Sequence, residues 1–178
     1  MEKEKCLVLL KEDCIRKKLI GKVISMIEEA SLDIIAMKLV IPDRELIGRH
    51  YPDSEEWLKS AGNKKIENYK KRGLICDSDP ISIGKLIREE LINHMSNKPT
   101  IAIVASGFNA ILHLRKLAGT TEPIHADLST IRGRFSTDSY ELADSQERPI
   151  ENIIHVSDSL EASEREIKIW FPEFVDKQ

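Results

Sequence analysis

The order of four short apolar segments constrains the fold of this chain more than any other sequence feature. They lie at residues 6–10, 33–41, 100–105 and 152–156. Each has a length and composition typical of strands, whereas apolar residues between them recur at helical spacing, as at Val23 and Ile27. Asp158 and Glu161 can form a capping box for the last helix. The order predicts an α+β domain, compatible with the split βαβ, ferredoxin-like arrangement.

Length and composition favour one ordinary globular domain spanning residues 1–178, with 32% charged and 41% hydrophobic residues. A net charge of −3 argues against a general nucleic-acid-binding protein. The chain begins without a secretory pattern, and no apolar run is long enough to span a membrane. Three scattered cysteines, without CxxC pairing, fit a reducing compartment and argue against structural zinc. We therefore expect a cytoplasmic protein without a membrane partner.

Two segments fall outside the regular strand and helix pattern. The first, between Leu58 and Pro80, contains six basic residues: Lys59, Lys64, Lys65, Lys70, Lys71 and Arg72. They fit either a solvated helix inserted into the domain or a basic patch for a polyanion, and the solvated helix is the commoner case. The second, residues 120–149, is rich in turn-forming and charged residues with little periodicity, which predicts a long loop. Loops of this length are usually functional or disordered.

The sharpest chemical signal is a histidine within NIIHVSDSLEASEREI, residues 152–167. Histidine side chains titrate near neutral pH, so His155 can supply an uncharged ring nitrogen as a nucleophile toward phosphorus. Glu166, on the following helix, is a candidate to orient the ring, and Ser157 can link the two or merely cap the helix. A buried histidine with a structural role fits the same spacing, so the pattern alone leaves catalysis open.

Any phosphate site in this chain must use side chains, because the sequence has neither a Walker phosphate loop nor a GxGxxG motif. Cationic and hydroxyl groups suited to phosphate oxygens occur at Lys11, Arg115, Thr121 and Arg132. Each of them taken alone is more commonly a surface residue. The histidines other than His155 lack ligand-like spacing, so no metal held by protein ligands is expected.

Together these segments resemble the nucleoside diphosphate kinase family. NIIHVSDSLEASEREIKIWF is similar to the family's active-site segment, and STIRGRF resembles its G-T-I-R-G-D-F motif. LRKLAGTTEP is similar to R-x-x-x-G-x-T-x-P, and CLVLLKEDCIRKKLIGKVISMIE resembles the opening strand, phosphate-loop lysine and first helix. The matches follow the family's order through nearly the whole chain. Residues at about 59–82 resemble an insertion found in some archaeal-type members.

The resemblance implies a ferredoxin-like βαββαβ antiparallel sheet with added helices, commonly assembled into hexamers. It implies a ping-pong kinase in which ATP phosphorylates a histidine and a nucleoside diphosphate then takes the phosphoryl group. His155 would be the phosphoryl acceptor, Glu166 its orienting carboxylate and Ser157 a nearby hydrogen-bonding group. Magnesium would bridge the nucleotide phosphates and needs few protein ligands.

The nucleotide-binding residues implied by the resemblance fall into three groups. Lys11 and Asn152 would contact the ribose hydroxyl region, and Lys11 would also reach a phosphate. The β- and γ-phosphates would be held by Arg115, Thr121 and Arg132. Tyr51 would line the site close to Lys11, and Trp57 is a candidate platform for the base.

Several positions depart from the family pattern. K-P-D-G has become Lys11-Glu12-Asp13-Cys14, so a proline and a glycine that favour a turn are lost and Glu12 adds negative charge. Val156 replaces a small residue after the histidine, and Ser129 and Arg134 replace the Gly and Asp that flank T-I-R-G. None of these changes deletes a catalytic group, so the sequence predicts a working kinase. The alternative is a catalytically weak nucleotide-binding or regulatory module of the same fold.

Overall fold

A computed structural model describes residues 2–175, which form two compact units. The sheet unit runs to Pro42 and resumes at Asn97, and the helical unit is Asp43–Ser96. The expectation of a single domain with an insertion at about 59–82 stays a prediction. Among the described residues, no helix is both long and apolar enough to cross a membrane.

The sheet has four strands and confirms the predicted antiparallel, ferredoxin-like arrangement. The strands are β1 (Glu4–Leu10), β2 (Asp33–Val40), β3 (Thr100–Gly107) and β4 (Ile154–Val156). The helices are α1 (Glu12–Arg16), α2 (Ile20–Glu29), α3 (Arg44–His50), α4 (Glu55–Lys71), α5 (Pro80–Met95), α6 (Ala110–Ala118), α7 (Ile131–Phe135), α8 (Tyr140–Ser145), α9 (Leu160–Trp170) and α10 (Pro172–Val175). The strand order is β2-β3-β1-β4, and every neighbouring pair is antiparallel.

The central strand β1 is buried on both faces, which explains its uninterrupted apolar run. Val8 and Leu10 belong to a core that also contains Val23 of α2 and Leu114 of α6. The other face of β1 contacts α9, where the amide of Leu7 donates to the hydroxyl of a buried serine, 3.3 Å away. Strand β1 is thus sandwiched between helices, and β4 lies along its outer side.

Strand β2 forms the opposite edge of the sheet and presents apolar side chains to solvent. Ile35, Met37 and Leu39 are 41%, 53% and 66% exposed, and they recur at the two-residue spacing of a strand. Between Ile34 and Ala36 a register shift interrupts the pairing with β3. This stripe on the outer strand is an exposed apolar surface of the kind that is commonly covered by another chain.

The prediction of a long loop over residues 120–149 was wrong, because the segment folds into a 3₁₀ turn (Pro123–His125) and the helices α7 and α8. Ile131 and Ala143 anchor these short elements by burying their side chains. Arg148 donates two hydrogen bonds to Asp138, 2.6 and 2.9 Å long. Burial alone would raise the pKa of Asp138, but the bonds from Arg148 and the amide of Glu151 outweigh it and lower that pKa. The sequence did not predict α7 and α8 because helices of five or six residues are too short to show a hydrophobic periodicity.

In the helical unit, α4 and α5 approach so closely that two glycines are required. A Cβ on Gly62 would lie 1.9 Å from the carbonyl oxygen of Pro80, and one on Gly84 would lie 2.1 Å from that of Leu58. Four of the five lysines of α4 are exposed, namely Lys59, Lys64, Lys70 and Lys71, and Lys65 is partly buried. Glu67 shares the same exposed face. Exposed lysines on a helix fit both the solvated helix and the basic patch, so the choice between them stays a prediction.

Candidate active site

Strand β4 and helix α9 bring the predicted histidine, serine and glutamate together. His155 pairs with Leu9 of β1, and its Nε2 lies 2.9 Å from Oε2 of Glu166. The hydroxyl of Ser157 donates to the same oxygen at 2.7 Å, and Nη2 of Arg165 lies 3.3 Å from the other carboxylate oxygen. Glu166 and Ser157 are buried, whereas the His155 side chain is 22% exposed. The buried carboxylate therefore contacts an imidazole that is partly exposed.

Helix α9 begins one residue later than the predicted capping box requires. Its N-cap is Ser159, whose hydroxyl accepts the amide proton of Ala162 at 3.0 Å, while Asp158 lies exposed before it. The capping prediction was therefore wrong about the residue and correct about the position of the helix start to within one residue. Ser157 does not cap the helix. Its hydroxyl bonds Glu166, which is the linking role that the sequence allowed.

A strained turn precedes the histidine. Ile153 has φ +69°, a left-handed conformation that a β-branched residue rarely adopts and that costs on the order of 1–3 kcal/mol. The amide of Ile154 donates to the carbonyl of Asn152 at 2.7 Å, which closes the turn. Its central residue is held from both sides, because the amide of Ile153 donates to Oδ2 of Asp13 at 2.8 Å and its carbonyl accepts from the amide of Lys11 at 3.0 Å.

Lys11, Asn152 and Thr121 form a second group of predicted site residues. Nζ of Lys11 lies 2.6 Å from Oδ1 of Asn152, and the Asn152 amide group donates to the carbonyl of Thr121 at 2.9 Å. Burial lowers the pKa of Lys11 to about 8, although the negative charge of Asp13 acts in the opposite direction. The lysine is thus a desolvated cation whose interaction with an anionic ligand would be stronger than that of a surface lysine.

Arg132, at the start of α7, braces the backbone around this group. Its guanidinium donates to the carbonyls of Gly119 (2.7 Å), Ile154 (2.8 Å) and Asn152 (3.3 Å). Burial lowers the pKa of Arg132 to about 10, and the nearby positive charge of Arg115 adds to that effect. Three of the five guanidinium donors are used by these contacts within residues 2–175, which leaves two for a phosphate.

The remaining predicted nucleotide residues are less constrained. Arg115 is exposed on α6, and Thr121 is exposed in the segment after that helix. Tyr51 belongs to the helical unit, where its hydroxyl donates to Sδ of Met95 and its ring lies 5.8 Å from that of Trp57. The nucleotide-binding role of Tyr51 and the base-stacking role of Trp57 stay predictions.

The positions that depart from the family pattern have ordinary partners in this fold. Glu12 lies 3.3 Å from Arg16, which offsets part of its added negative charge. Val156 packs in the core of the sheet unit, and the amide and hydroxyl of Ser129 bond Asp127. Arg134 is exposed. None of these four side chains displaces the imidazole from Glu166.

Asp13 is the site residue for which the sequence carried no signal of its role. It is buried, and its carboxylate bonds the amide of a residue 140 positions later in the chain. Its only local signature is its place two residues after Lys11, at the exit of β1.

An oriented imidazole, a desolvated lysine and an arginine with spare donors together suit the acceptance of a phosphoryl group from an anionic donor.

Sequence comparisons show that this chain is similar to known nucleoside diphosphate kinases. A family model described as nucleoside diphosphate kinase matches residues 4–68 and 82–175. A nucleoside diphosphate kinase of Pyrobaculum aerophilum is 42% identical over 178 residues, which cover 97% of this chain and 97% of that protein. A nucleoside diphosphate kinase of Methanocaldococcus jannaschii is 36% identical over 171 residues, covering 96% and 95%.

Solved structures agree with these sequence relatives. The crystal structure of an NDP kinase from Pyrobaculum aerophilum superposes with a TM-score of 0.90 at 39% identity and covers 96% of each chain. A transition-state mimic of nucleoside-diphosphate kinase from Borrelia burgdorferi, with bound vanadate and ADP, has a TM-score of 0.76 at 32% identity. That match covers 95% of this chain and 87% of the other.

Proposed function

This chain belongs to the nucleoside diphosphate kinase family, and we propose that His155 carries the phosphoryl group in its reaction. The protein is a phosphotransferase that moves the γ-phosphoryl group of ATP to nucleoside diphosphates. The observation that carries the role of His155 is its contact with the buried Glu166, 2.9 Å from Nε2. That contact favours the tautomer with the proton on Nε2, which puts the lone pair on Nδ1.

In the first half-reaction, Nδ1 of His155 attacks the γ-phosphorus of ATP. A nitrogen–phosphorus bond forms, the bond to the bridging oxygen breaks, and ADP leaves with the electron pair. The ring becomes cationic while Nε2 keeps its proton, and the carboxylate of Glu166 stabilises that charge. In the second half-reaction, a terminal oxygen of a nucleoside diphosphate attacks the same phosphorus and forms an oxygen–phosphorus bond. The nitrogen–phosphorus bond breaks, its electron pair returns to Nδ1, and the triphosphate leaves the neutral imidazole.

The cationic side chains stabilise the charge on the phosphate oxygens. Arg115, Thr121 and the two spare donors of Arg132 hold the β- and γ-phosphates. Lys11 contacts a phosphate and, with Asn152, the ribose hydroxyl region. The bond between Lys11 and Asn152, 2.6 Å long, supports this pairing because it places an amine and an amide side by side. Tyr51, on the helical unit, is a further proposed nucleotide-binding residue.

Magnesium would be held in this site mainly through the nucleotide phosphates. The proposed phosphate-binding groups are an amine, guanidinium groups and a hydroxyl, whereas Mg²⁺ prefers oxygen ligands, so this donor set fits an ion held mainly by phosphates and water. The buried carboxylate of Asp13 is already bonded to the backbone. When bound, the ion would neutralise part of the phosphate charge.

Transfer of label in two separate steps tests this proposal. With γ-labelled ATP and magnesium, we expect label on the protein that is stable in alkali and lost in acid. After ADP and ATP are removed, addition of a nucleoside diphosphate should release the label as triphosphate. The alternative, a catalytically weak nucleotide-binding or regulatory module, predicts nucleotide binding without label on the protein, and that result would overturn the proposal.

Glu166→Gln is expected to slow phosphoryl transfer about 10- to 100-fold, because a misoriented nucleophile is costly. The affinity for ADP should change little, since Glu166 contacts the imidazole and Ser157. Single-turnover kinetics and calorimetric titration with ADP measure the two quantities. Glu164→Gln, at an exposed position of the same helix, is the matched control. Equal losses of affinity and rate in Glu166→Gln would contradict an orienting role.

We also propose that the chain is a homo-oligomer, with a hexamer favoured, in the cytoplasm. The exposed apolar side chains of the edge strand β2 support an interface between copies. Met37→Lys is expected to shift the protein toward smaller species in analytical ultracentrifugation, whereas the exposed Lys22→Met should not. A wild-type protein that sediments as a monomer at micromolar concentration would contradict the oligomer.

The free thiols of Cys6 and Cys14 fit a reducing compartment, and cell fractionation tests the location.

A further inference from the structure

Asp13 is a buried acid for which the proposed phosphoryl transfer has no chemical use. It lies in the first turn of α1, is 3% exposed, and is two residues beyond Lys11. A carboxylate in such a place is costly unless it is hydrogen-bonded. Its bond to the amide of Ile153, 2.8 Å long, is therefore a feature that the fold has to maintain.

Asp13 accepts a hydrogen bond from the amide of Ile153, the strained residue of the turn that precedes His155. With φ +69°, Ile153 persists in this conformation only because surrounding contacts hold it there. Lys11 takes part through its backbone amide, which donates to the carbonyl of Ile153 at 3.0 Å. Residues 11 and 13 thus hold opposite sides of one peptide segment, and both lie at the exit of β1.

The two ends of this turn carry different parts of the site. On one side, the side chain of Asn152 bonds Lys11 and the Thr121 carbonyl. On the other, the chain passes directly through Ile154 into His155. A change in the turn therefore shifts the asparagine and the histidine relative to each other.

We propose that Asp13 is a positioning residue for phosphoryl transfer, whose carboxylate holds the Asn152–Ile154 turn and so aligns His155 with the nucleotide. The inference rests on the proposed function of His155. Asp13 acts through the backbone and does not touch the reacting atoms. Its negative charge also faces Lys11 and Arg132, so a purely electrostatic effect is the competing explanation that the test must separate.

Three variants distinguish positioning from charge and from general destabilisation. Asp13→Ala removes the acceptor and the charge, whereas Asp13→Asn removes the charge and keeps an oxygen that can accept from the Ile153 amide. Glu4→Ala is the matched control, because the Glu4 carboxylate also accepts a backbone amide, that of Ile111 at 3.2 Å, at the opposite end of β1. All three are compared by single-turnover phosphorylation at saturating ATP and by thermal unfolding.

Asp13→Ala is expected to slow phosphorylation of the protein about 30-fold, the scale of a displaced nucleophile, and Asp13→Asn only about threefold. Glu4→Ala should keep the wild-type rate even where it lowers the melting temperature as much. An Asp13→Ala rate within about threefold of wild type, or Asp13→Asn as slow as Asp13→Ala, would overturn the inference. The second of these results would assign the effect to charge.

Should Asp13→Ala fail to fold, the amide proton resonance of Ile153 in Asp13→Asn decides the matter. We expect its hydrogen-bonded, downfield position to be retained together with a rate within about threefold of wild type. A retained resonance with a rate as low as that of a His155 variant would overturn the inference. If wild-type protein never forms phosphohistidine, the proposed function fails; if it does and the Asp13 variants match it, only this inference fails.

Discussion

His155→Ala is expected to reduce phosphoryl transfer from ATP to a nucleoside diphosphate by about 10⁴-fold or more, the scale seen when an enzyme loses its nucleophile. Ser157 is not expected to replace the lost nitrogen, because it is buried and donates its proton to Glu166. The covalent label on the protein should vanish with the activity. A coupled kinase assay and alkaline mass spectrometry measure the two effects.

ADP binding separates loss of chemistry from loss of the site. The imidazole in the proposed mechanism contacts the transferring phosphoryl group, so the Kd for ADP should stay within about threefold of wild type. His113→Ala, which removes an exposed histidine of α6, should leave rate and label unchanged. Residual label in His155→Ala at wild-type levels would place the phosphoryl carrier elsewhere in the chain.

Arg132→Ala is expected to reduce both activity and stability. Loss of its spare donors should slow transfer about 10²- to 10³-fold, as for other groups that stabilise charge in a transition state. Loss of its bonds to three backbone carbonyls should lower the free energy of unfolding by about 3 kcal/mol, since bonds from charged donors are each worth about 1.5–3 kcal/mol and are not additive. Urea denaturation and steady-state kinetics test the two effects.

The variants that accompany this experiment separate charge from bracing. Arg132→Lys keeps a positive charge and cannot make three divergent hydrogen bonds, so it should lose most of the stability and part of the activity. Arg134→Ala, two residues away on α7 and exposed, should change neither quantity appreciably. A stable, inactive Arg132→Ala protein would contradict the brace and leave the phosphate role intact.

The sequence was sufficient to predict the sheet and the proximity of His155, Ser157 and Glu166. Strands such as β1 have uninterrupted apolar runs because both faces are buried, and this is visible without coordinates. The contact between His155 and Glu166 was predictable for a related reason. A short strand leading into a helix returns the chain toward the strand within eleven residues, and few acidic residues on that helix can face it.

The features that could not be predicted from the sequence depend on contacts between distant segments. The bond from Ile153 to Asp13 joins residues 140 positions apart, and the left-handed φ of Ile153 contradicts the preference of an isoleucine. The motif predicts Arg132 as a phosphate ligand, but not as a donor to backbone carbonyls. Its three carbonyl partners become visible only when Gly119 and β4 are brought beside it.

The α4–α5 hairpin has positions that tolerate substitution and positions that do not. Gly62 and Gly84 belong to the second kind. At those points the backbones touch, and even a methyl group would force the helices apart. On the outward side, Lys64 and Lys71 are solvated and can be exchanged without disturbing that spacing. The charge of this hairpin can therefore be changed while its interhelical separation is kept, because that separation depends on two residues that have no side chain.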